Sequence, residues 1–307
     1  MIDLARLRAL HAVSVYGSVN GAATALGFTP SAISQQLNKL ERETRTTLLE
    51  RRGRGVVLTD AAQVLAGTAA EVLKLVEQAE IQLEEQRGRP VGKVALGAFP
   101  TACRGLLPAV VVELAAEHPA LDMTVLEIDP PNAVTAVERG DVDVAVVHDW
   151  QTAPLAIPED LTRRSIGEDV ADLLVPAGHR LAGRERVTAT DLVGERWLCQ
   201  PPGSICHDWL VQTVRTTGHE PLVSYLVSEY ESQLEFLRAG IGVALMPRLG
   251  RAPLPDGVVA VRLEPVPTRL LYAIWRERTS RRPAIKVTVD ALSRVTRGSA
   301  AATSRGR

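Results

Sequence analysis

A chain of 307 residues with 46% hydrophobic and 23% charged residues has room for two domains and the makeup of a globular protein rather than a disordered one. Its net charge is −1. The three cysteines (Cys103, Cys199, Cys206) are too few for a disulfide framework and too scattered for a zinc site. No run of about 18 apolar residues is present to span a membrane, and no signal-peptide core follows the N-terminus, so a cytoplasmic protein with no membrane partner is expected.

In chain order, Leu4, Leu7, Leu10 and Val13 recur at helical spacing, and Gly17 ends that helix. Ser18 N-caps a short second helix whose inner face, Ala22, Ala23 and Leu26, is small enough for a neighbour to approach closely. Gly27 suits its exit turn. Thr29 then N-caps a third helix with Pro30 at its first position, running to about Thr44. "LLERRGRGVVLT" (48–59) reads as two short strands around a basic turn. Residues 61–87 form one long helix in which Leu65, Ala69, Val72, Val76, Ala79 and Leu83 alternate at steps of four and three. That seam fits a coiled coil and predicts self-association. "RGRPVG" (87–92) is a linker.

From Gly92 the pattern alternates strand and helix: "KVALGAF", a helix at 104–117, "DMTVLEI", a helix at 132–139, and "VDVAVV". It continues with "ADLLVP", "RWLCQ", a helix near 204–217, "LVSYLVS", a helix at 230–239, "GVALMP", "VVAVRL", "RLLYAIW" and a last helix over about 283–296. The expectation is an α/β fold with mostly parallel sheets, followed by a disordered tail at 298–307.

Two short helices, a Gly-containing turn and a capped third helix make a helix-turn-helix with its motif at about 20–39. In "FTPSAISQQLNKL" (28–40), Ile33, Leu37 and Leu40 point one way, and Ser31, Ser34, Gln35 and Asn38 share the other face. The major groove admits such a helix; Gln and Asn bond adenine in bidentate fashion, and Ser donates or accepts. The helix start at Thr29 offers free N–H groups to a phosphate. Lys39 lies at the side, and Arg51 and Arg54 sit on a hairpin placed like a wing, where contacts to the DNA backbone or the minor groove fall. Residues 31–54 carry six Lys/Arg against three Glu, a local basic block that the near-zero total conceals.

These residues carry a resemblance. "LRALHAVSVYGSVNGAATALGFTPSAISQQLNKLE" followed by "LLERRGRGVVLTDAA" resembles the N-terminal region of LysR-type transcriptional regulators. The family's Ala-Ala, Ser, Leu-Glu, Glu-Arg and Leu-Thr positions have counterparts in Ala22–Ala23, Ser34, Leu40–Glu41, Glu50–Arg51 and Leu58–Thr59. Leu49 departs from a usual Phe, and Ala62 stands where Gly is usual. "LEFLRAGIGVALMP" (234–247) is the best-matching later segment. The resemblance implies a winged helix-turn-helix over 1–60, a linker helix over 61–88, and an effector-binding domain over 91–297 similar to periplasmic binding proteins. It divides that domain into one subdomain at 92–162 with 267–297 and another at 163–266, with an inducer between them. It further implies a homodimer through 61–87, a homotetramer, a double-stranded DNA operator and RNA polymerase as partners, and no catalytic residues.

Ligands of open α/β sheets bind beyond the carboxyl ends of strands, at helix starts. That rule nominates Phe99, Pro100 and Thr101 in "GAFPTACRG", Val147 and His148 at another strand end, and Gly203 and Ser204 in "CQPPGSICHDW". Glu229, Tyr230 and Met246 complete the set. Helix starts favour a small anion; Phe99, Trp209 and Tyr230 also permit an aromatic acid. No cofactor and no metal are expected. Cys206 lies near a helix start, where thiol pKa values tend to fall. Peroxide-sensing relatives use a cysteine in roughly this place, but the second downstream cysteine is missing. Ser204, His207 and Asp208 are neighbours on one turn, not a triad. The competing reading is a small-molecule enzyme or solute binder whose N-terminal helices only dimerise; such an arm has no need of a basic wing or an uncharged reading face.

Overall fold

The computed structural model describes residues 2–52 and 55–305. They form two compact units that divide between Gly88 and Arg89.

In the first unit each helix begins where a side chain satisfies its open N–H groups. Helix α1 (Leu4–Tyr16) starts at Asp3, whose carboxylate accepts from the N–H groups of Ala5 and Arg6 at 2.8 and 3.3 Å. Helix α2 (Val19–Leu26) is capped by Ser18 and closes at Gly27, in the left-handed region at φ +69°. There the Phe28 N–H donates to the Ala23 carbonyl at 2.9 Å. Helix α3 (Pro30–Thr44) is capped by Thr29. Ile33, Leu37 and Leu40 from α3, Leu10 from α1, Ala22 and Ala23 from α2, and Leu48 form one buried core. Each Leu or Ile side chain buried there contributes about 1.5–3 kcal/mol. Strands β1 (Leu49–Arg52) and β2 (Gly55–Leu58) pair antiparallel as the expected hairpin.

Helix α4 (Asp60–Arg87) starts at its cap Thr59. Its first turns spend their apolar stripe at home: Ala62 and Ala66 belong to the core cluster, Leu65 packs against it, and Ala69 is fully buried. The seam read from Leu65 onward is therefore partly consumed by the helix's own unit. Val64, Leu75 and Leu83 remain exposed.

In the second unit β3 (Gly92–Ala98) pairs parallel with β4 (Leu121–Glu127) and β5 (Val144–Trp150). Helices α5 (Pro100–Gly105), α6 (Leu107–Glu117) and α7 (Pro130–Arg139) connect them. Strand β6 (Leu161–Pro176) is the shared member of the sheet. Its residues up to Val170 pair with β12 (Thr268–Arg276), and those from Ala171 pair with β10 (Val243–Pro247) and β11 (Val258–Glu264). Beyond β10 lie β8 (Arg196–Cys199) and β9 (Leu222–Leu226), parallel to it, and β7 (Arg186–Thr188) runs parallel to β11. Helices α8 (Ile205–Arg215) and α9 (Tyr230–Arg238) belong to this second half, and α10 (Pro283–Arg305) follows β12.

Three differences from the sequence reading have physical reasons. The sheet is parallel only at its flanks: β5–β12, β12–β6, β6–β10 and β6–β11 are antiparallel, because β6 and β12 carry the chain between halves without crossover helices. The first part of β6 was missed because Arg163, Arg164, Glu168 and Asp169 break the alternation, and the register shifts beside Ile166. The division at 162/163 that the resemblance implied lies within this one strand, which pairs first with β12 and then with β10 and β11. Lastly, α10 continues to Arg305, so 298–305 is helical where a disordered tail was expected; residues 306 and 307 lie outside the described residues. Among the described residues no helix is long and apolar enough to cross a membrane.

Candidate functional site

The polar face of α3 is open. Ser31, Gln35, Asn38 and Lys39 are exposed and Ser34 is half-buried, while Ile33, Leu37 and Leu40 on the opposite side are fully buried. The Thr29 hydroxyl accepts from the Ala32 N–H at 3.2 Å and meets the Ser31 hydroxyl at 2.9 Å, so both belong to the capped first turn. The amide groups of Gln35 and Asn38 have no hydrogen-bond partner among the described residues. They are held on a rigid helix with their donors and acceptors free.

The hairpin is tied to the same helix. Glu41, on the last turns of α3, accepts from the N–H groups of Leu48 and Leu49 at 2.7 and 3.1 Å. Thr59 donates its hydroxyl proton to the Thr47 carbonyl at 2.9 Å while its oxygen accepts from Ala62 N–H at 3.1 Å. The wing is thus fixed at its base from both ends. Arg54 lies outside the described residues, and so does the side chain of Arg51.

In the second unit a different arrangement forms where β5, β6, β12 and the start of α5 meet. Arg269, only 1% exposed, stands opposite Asp169 in the β12–β6 register and donates two hydrogen bonds to its Oδ2, at 3.0 and 2.8 Å. The same guanidinium donates to the Thr101 hydroxyl at 2.7 Å. It lies over the Phe99 ring at 4.9 Å and the Trp150 ring at 5.9 Å. His148 packs edge-on against Phe99 at 4.6 Å, and Trp150 stacks on Trp209 at 4.7 Å. The Cys206 sulfur lies 3.8 Å from the Tyr230 hydroxyl.

Backbone contacts brace this cluster. Leu249 N–H donates to Asp169 Oδ1 at 3.0 Å. Gly250 sits at φ +68°, and a Cβ there would lie 2.4 Å from the Thr101 carbonyl oxygen. Only glycine lets the turn after β10 press on α5 this closely.

Burial sets the charge states. It pushes the His148 pKa well below its ordinary value, and the Arg269 charge adds to that push, so the imidazole is neutral. Burial also raises the thiols of Cys206 and Cys199, the latter to about 12. The helix-start effect expected at Cys206 is therefore outweighed. Among the described residues His148 Nδ1 and Trp150 Nε1 are buried without a well-formed hydrogen bond, Trp150 having only the weak acceptor of the Cys206 sulfur near it. Beside them Trp150, Cys206, Trp209, Tyr230 and Leu245 bound a cavity of only about 10 Å³, room for a single water.

The structure therefore gathers Phe99, Thr101, His148 and Tyr230, four of the sequence candidates. Val147 points to the other face of β5, into a core with Val137 and Leu161, because neighbours on a strand alternate. Met246 packs with Leu234, Leu237 and Tyr230 itself in the apolar core under α9, without a hydrogen bond from its side chain to the Arg269 cluster among the described residues. Ser204 spends its oxygen capping α8 through the His207 N–H at 3.1 Å, and Gly203 is exposed beside it. Glu229 is exposed and accepts from the Ser232 hydroxyl at 2.6 Å. Pro100 is the half-buried first residue of α5. Sequence reasoning missed Arg269, Asp169 and Trp150. One signal was present: Arg269 shares the inward phase of Leu271, Ala273 and Trp275, where a charge calls for a buried partner. Among the described residues no group of three or more His, Cys, Asp or Glu could hold a metal ion.

Comparison with known proteins bears on both sites. Residues 4–63 match the bacterial regulatory helix-turn-helix protein, lysR family, and residues 87–297 match the LysR substrate binding domain. The chain is 29% identical to the transcriptional dual regulator GltC of Bacillus subtilis over 71% of each chain. It is 26% identical to the DNA-binding transcriptional dual regulator OxyR of Escherichia coli over 90% of each. Full-length OxyR C199D from Pseudomonas aeruginosa shares the fold at a TM-score of 0.68 with 19% identity, covering 95% of both chains. Full-length CbnR in complex with its target DNA does so at 0.59 with 18% identity, covering 96% of this chain and all of that one. The two matched regions span both structural units, and the chain belongs to the LysR family as a DNA-binding transcription regulator.

Proposed function

We propose that this regulator binds a two-fold related operator as a dimer, with one α3 in each of two major grooves about 34 Å apart or a multiple of that spacing. We propose too that a small anionic or acceptor-bearing effector controls it from the cluster around Arg269. Dimerisation through α4 is supported by the exposed Val64, Leu75 and Leu83, at 74, 64 and 55% of full exposure, along one long helix. A tetramer and contact with RNA polymerase extend the same reading.

The observation that carries the effector proposal is a buried indole donor and a buried imidazole nitrogen that the fold leaves unpaired. Among the described residues Trp150 Nε1 has no acceptor but the weak Cys206 sulfur and His148 Nδ1 has no partner, while Arg269 uses its Nε and Nη2 on Asp169 and Thr101. A ligand with a carboxylate or carbonyl oxygen satisfies such groups; an apolar ligand leaves them unpaired at a cost of about 1–3 kcal/mol each. Because the cavity holds only about one water, an effector of several heavy atoms has to part the two halves of the domain as it enters. Its binding then changes the domain's closure, which is the free-energy link to the DNA-binding unit.

A thermal-shift screen of small carboxylates and aromatic acids tests this. The true ligand raises the melting temperature of the wild type, and the rise shrinks in Thr101→Ala and Trp150→Phe. A shift unchanged in both variants places the ligand elsewhere.

A second reading is a response to a small oxidant. The cavity is the size of one small molecule, Cys199 and Cys206 border it, and OxyR-type relatives are named for hydrogen peroxide. The raised thiol pKa values weigh against it. Mass spectrometry of Cys206 after peroxide treatment decides: no modification at concentrations that alter DNA binding eliminates this reading.

A further inference from the structure

We infer that Phe28 is a specificity-determining residue for DNA, packing its ring on the C5-methyl group of a thymine beside the bases met by α3. Phe28 is 62% exposed although its backbone is fixed on both sides. Its N–H closes α2 on the Ala23 carbonyl at 2.9 Å, and the next residue, Thr29, caps α3. The side chain is thus presented by a rigid turn.

Among the described residues the ring belongs to no buried core cluster and stacks on no other aromatic ring. An apolar residue just before a helix cap ordinarily staples onto the fourth helical residue, which here is Ile33. Ile33 is already buried by Leu37, Leu10 and their neighbours, a cluster to which Phe28 does not belong. The other exposed large apolar residues of this unit lie along α4, at the start of α1 (Ile2, Leu4) or on the wing (Val57). Phe28 is the one such residue, among those described, in the turn that leads into the reading helix.

The chemistry of that position selects the occupant. The N-terminal part of such a helix meets base edges, and Ser31, Gln35 and Asn38 beside it can serve polar edges. A phenyl ring gains nothing from a phosphate. In the major groove the apolar feature is the thymine methyl, which no other base carries. Covering it also removes the exposed ring from water. The inference rests on α3 facing DNA.

Selection of binding sites from random duplex DNA, with full-length wild type, Phe28→Ala, Phe28→Leu and Gln35→Ala, tests it. Circular dichroism and light scattering verify fold and oligomeric state. The wild type shows a thymine preference in each half-site that Phe28→Ala loses and Phe28→Leu weakens, while other positions stay. Replacing that thymine with deoxyuridine weakens wild-type binding about fourfold per methyl, the worth of one buried CH₂. Phe28→Ala binds both duplexes equally. An unchanged thymine preference in Phe28→Ala, an equal loss on the two duplexes, or a changed oligomeric state overturns the inference. If Gln35→Ala also keeps every preference, the fault lies with the α3 face itself.

Discussion

The reading face of α3 and the cluster around Arg269 use polar residues in opposite ways. On α3 the amides of Gln35 and Asn38 are exposed and, among the described residues, unpartnered, and the scaffold beneath them is an ordinary apolar core. Around Arg269 the polar groups are buried, and most are bonded to each other across strands distant in sequence, Asp169 to Arg269 and Arg269 to Thr101. The first surface waits for an outside partner and costs the fold nothing in the meantime. The second is part of what holds its domain together, so a ligand there has to compete with internal bonds. If the proposed effector binds there, its differential affinity for the open and closed arrangements is what shifts them.

Mutation separates the two regions. Arg269→Ala leaves Asp169 buried without its counter-ion and is expected to destabilise the second unit by about 3–5 kcal/mol in a denaturant titration. Asp169→Asn in the same background restores part of it. Gln35→Ala, by contrast, leaves the melting curve unchanged and weakens operator binding by about 1–3 kcal/mol, with specificity relaxed at one base. A gel-shift titration beside a melt reads both; a large loss of stability in Gln35→Ala removes the contrast.

A change of pH sharpens the comparison without a mutation. His148 has its folded pKa held well below 6.5 by burial and then by the Arg269 charge. Below pH 6.5 the unfolded chain takes up a proton that the folded chain refuses, so stability falls as pH drops, by about 1.4 kcal/mol per unit. Melts of wild type and His148→Gln between pH 7.5 and about 5 check this, and parallel slopes refute it. The smallest effect belongs to the capped turn: Thr29→Ala costs the first unit about 1 kcal/mol by freeing the Ala32 N–H. It also loosens the helix start that meets the DNA.

The first unit was legible because its determinants are local. Caps at Ser18 and Thr29, the turn at Gly27, and the spacing of Ile33, Leu37 and Leu40 each act within a few residues. The cluster around Arg269 was only half legible. Strand ends and helix starts led to Phe99, Thr101, His148 and Tyr230, but the same rule also selected Ser204, Glu229 and Met246, which turn to other tasks. Whether a loop residue faces a cleft depends on the rotation of its strand or helix against a partner far away in the chain.

The sequence by itself determined two units, three short helices, two of them with their caps and the third with one polar and one apolar side, a wing, a long helix and alternating strands, because short-range periodicity and capping are enough for these. Tertiary structure alone decided that β6 joins the two halves as an antiparallel strand, that Asp169 stands opposite Arg269, and that Arg269 reaches Thr101. Those facts follow from strand register between segments separated by 100 and 168 residues. Register of that kind is set by the packing of whole faces, which no short stretch of sequence encodes.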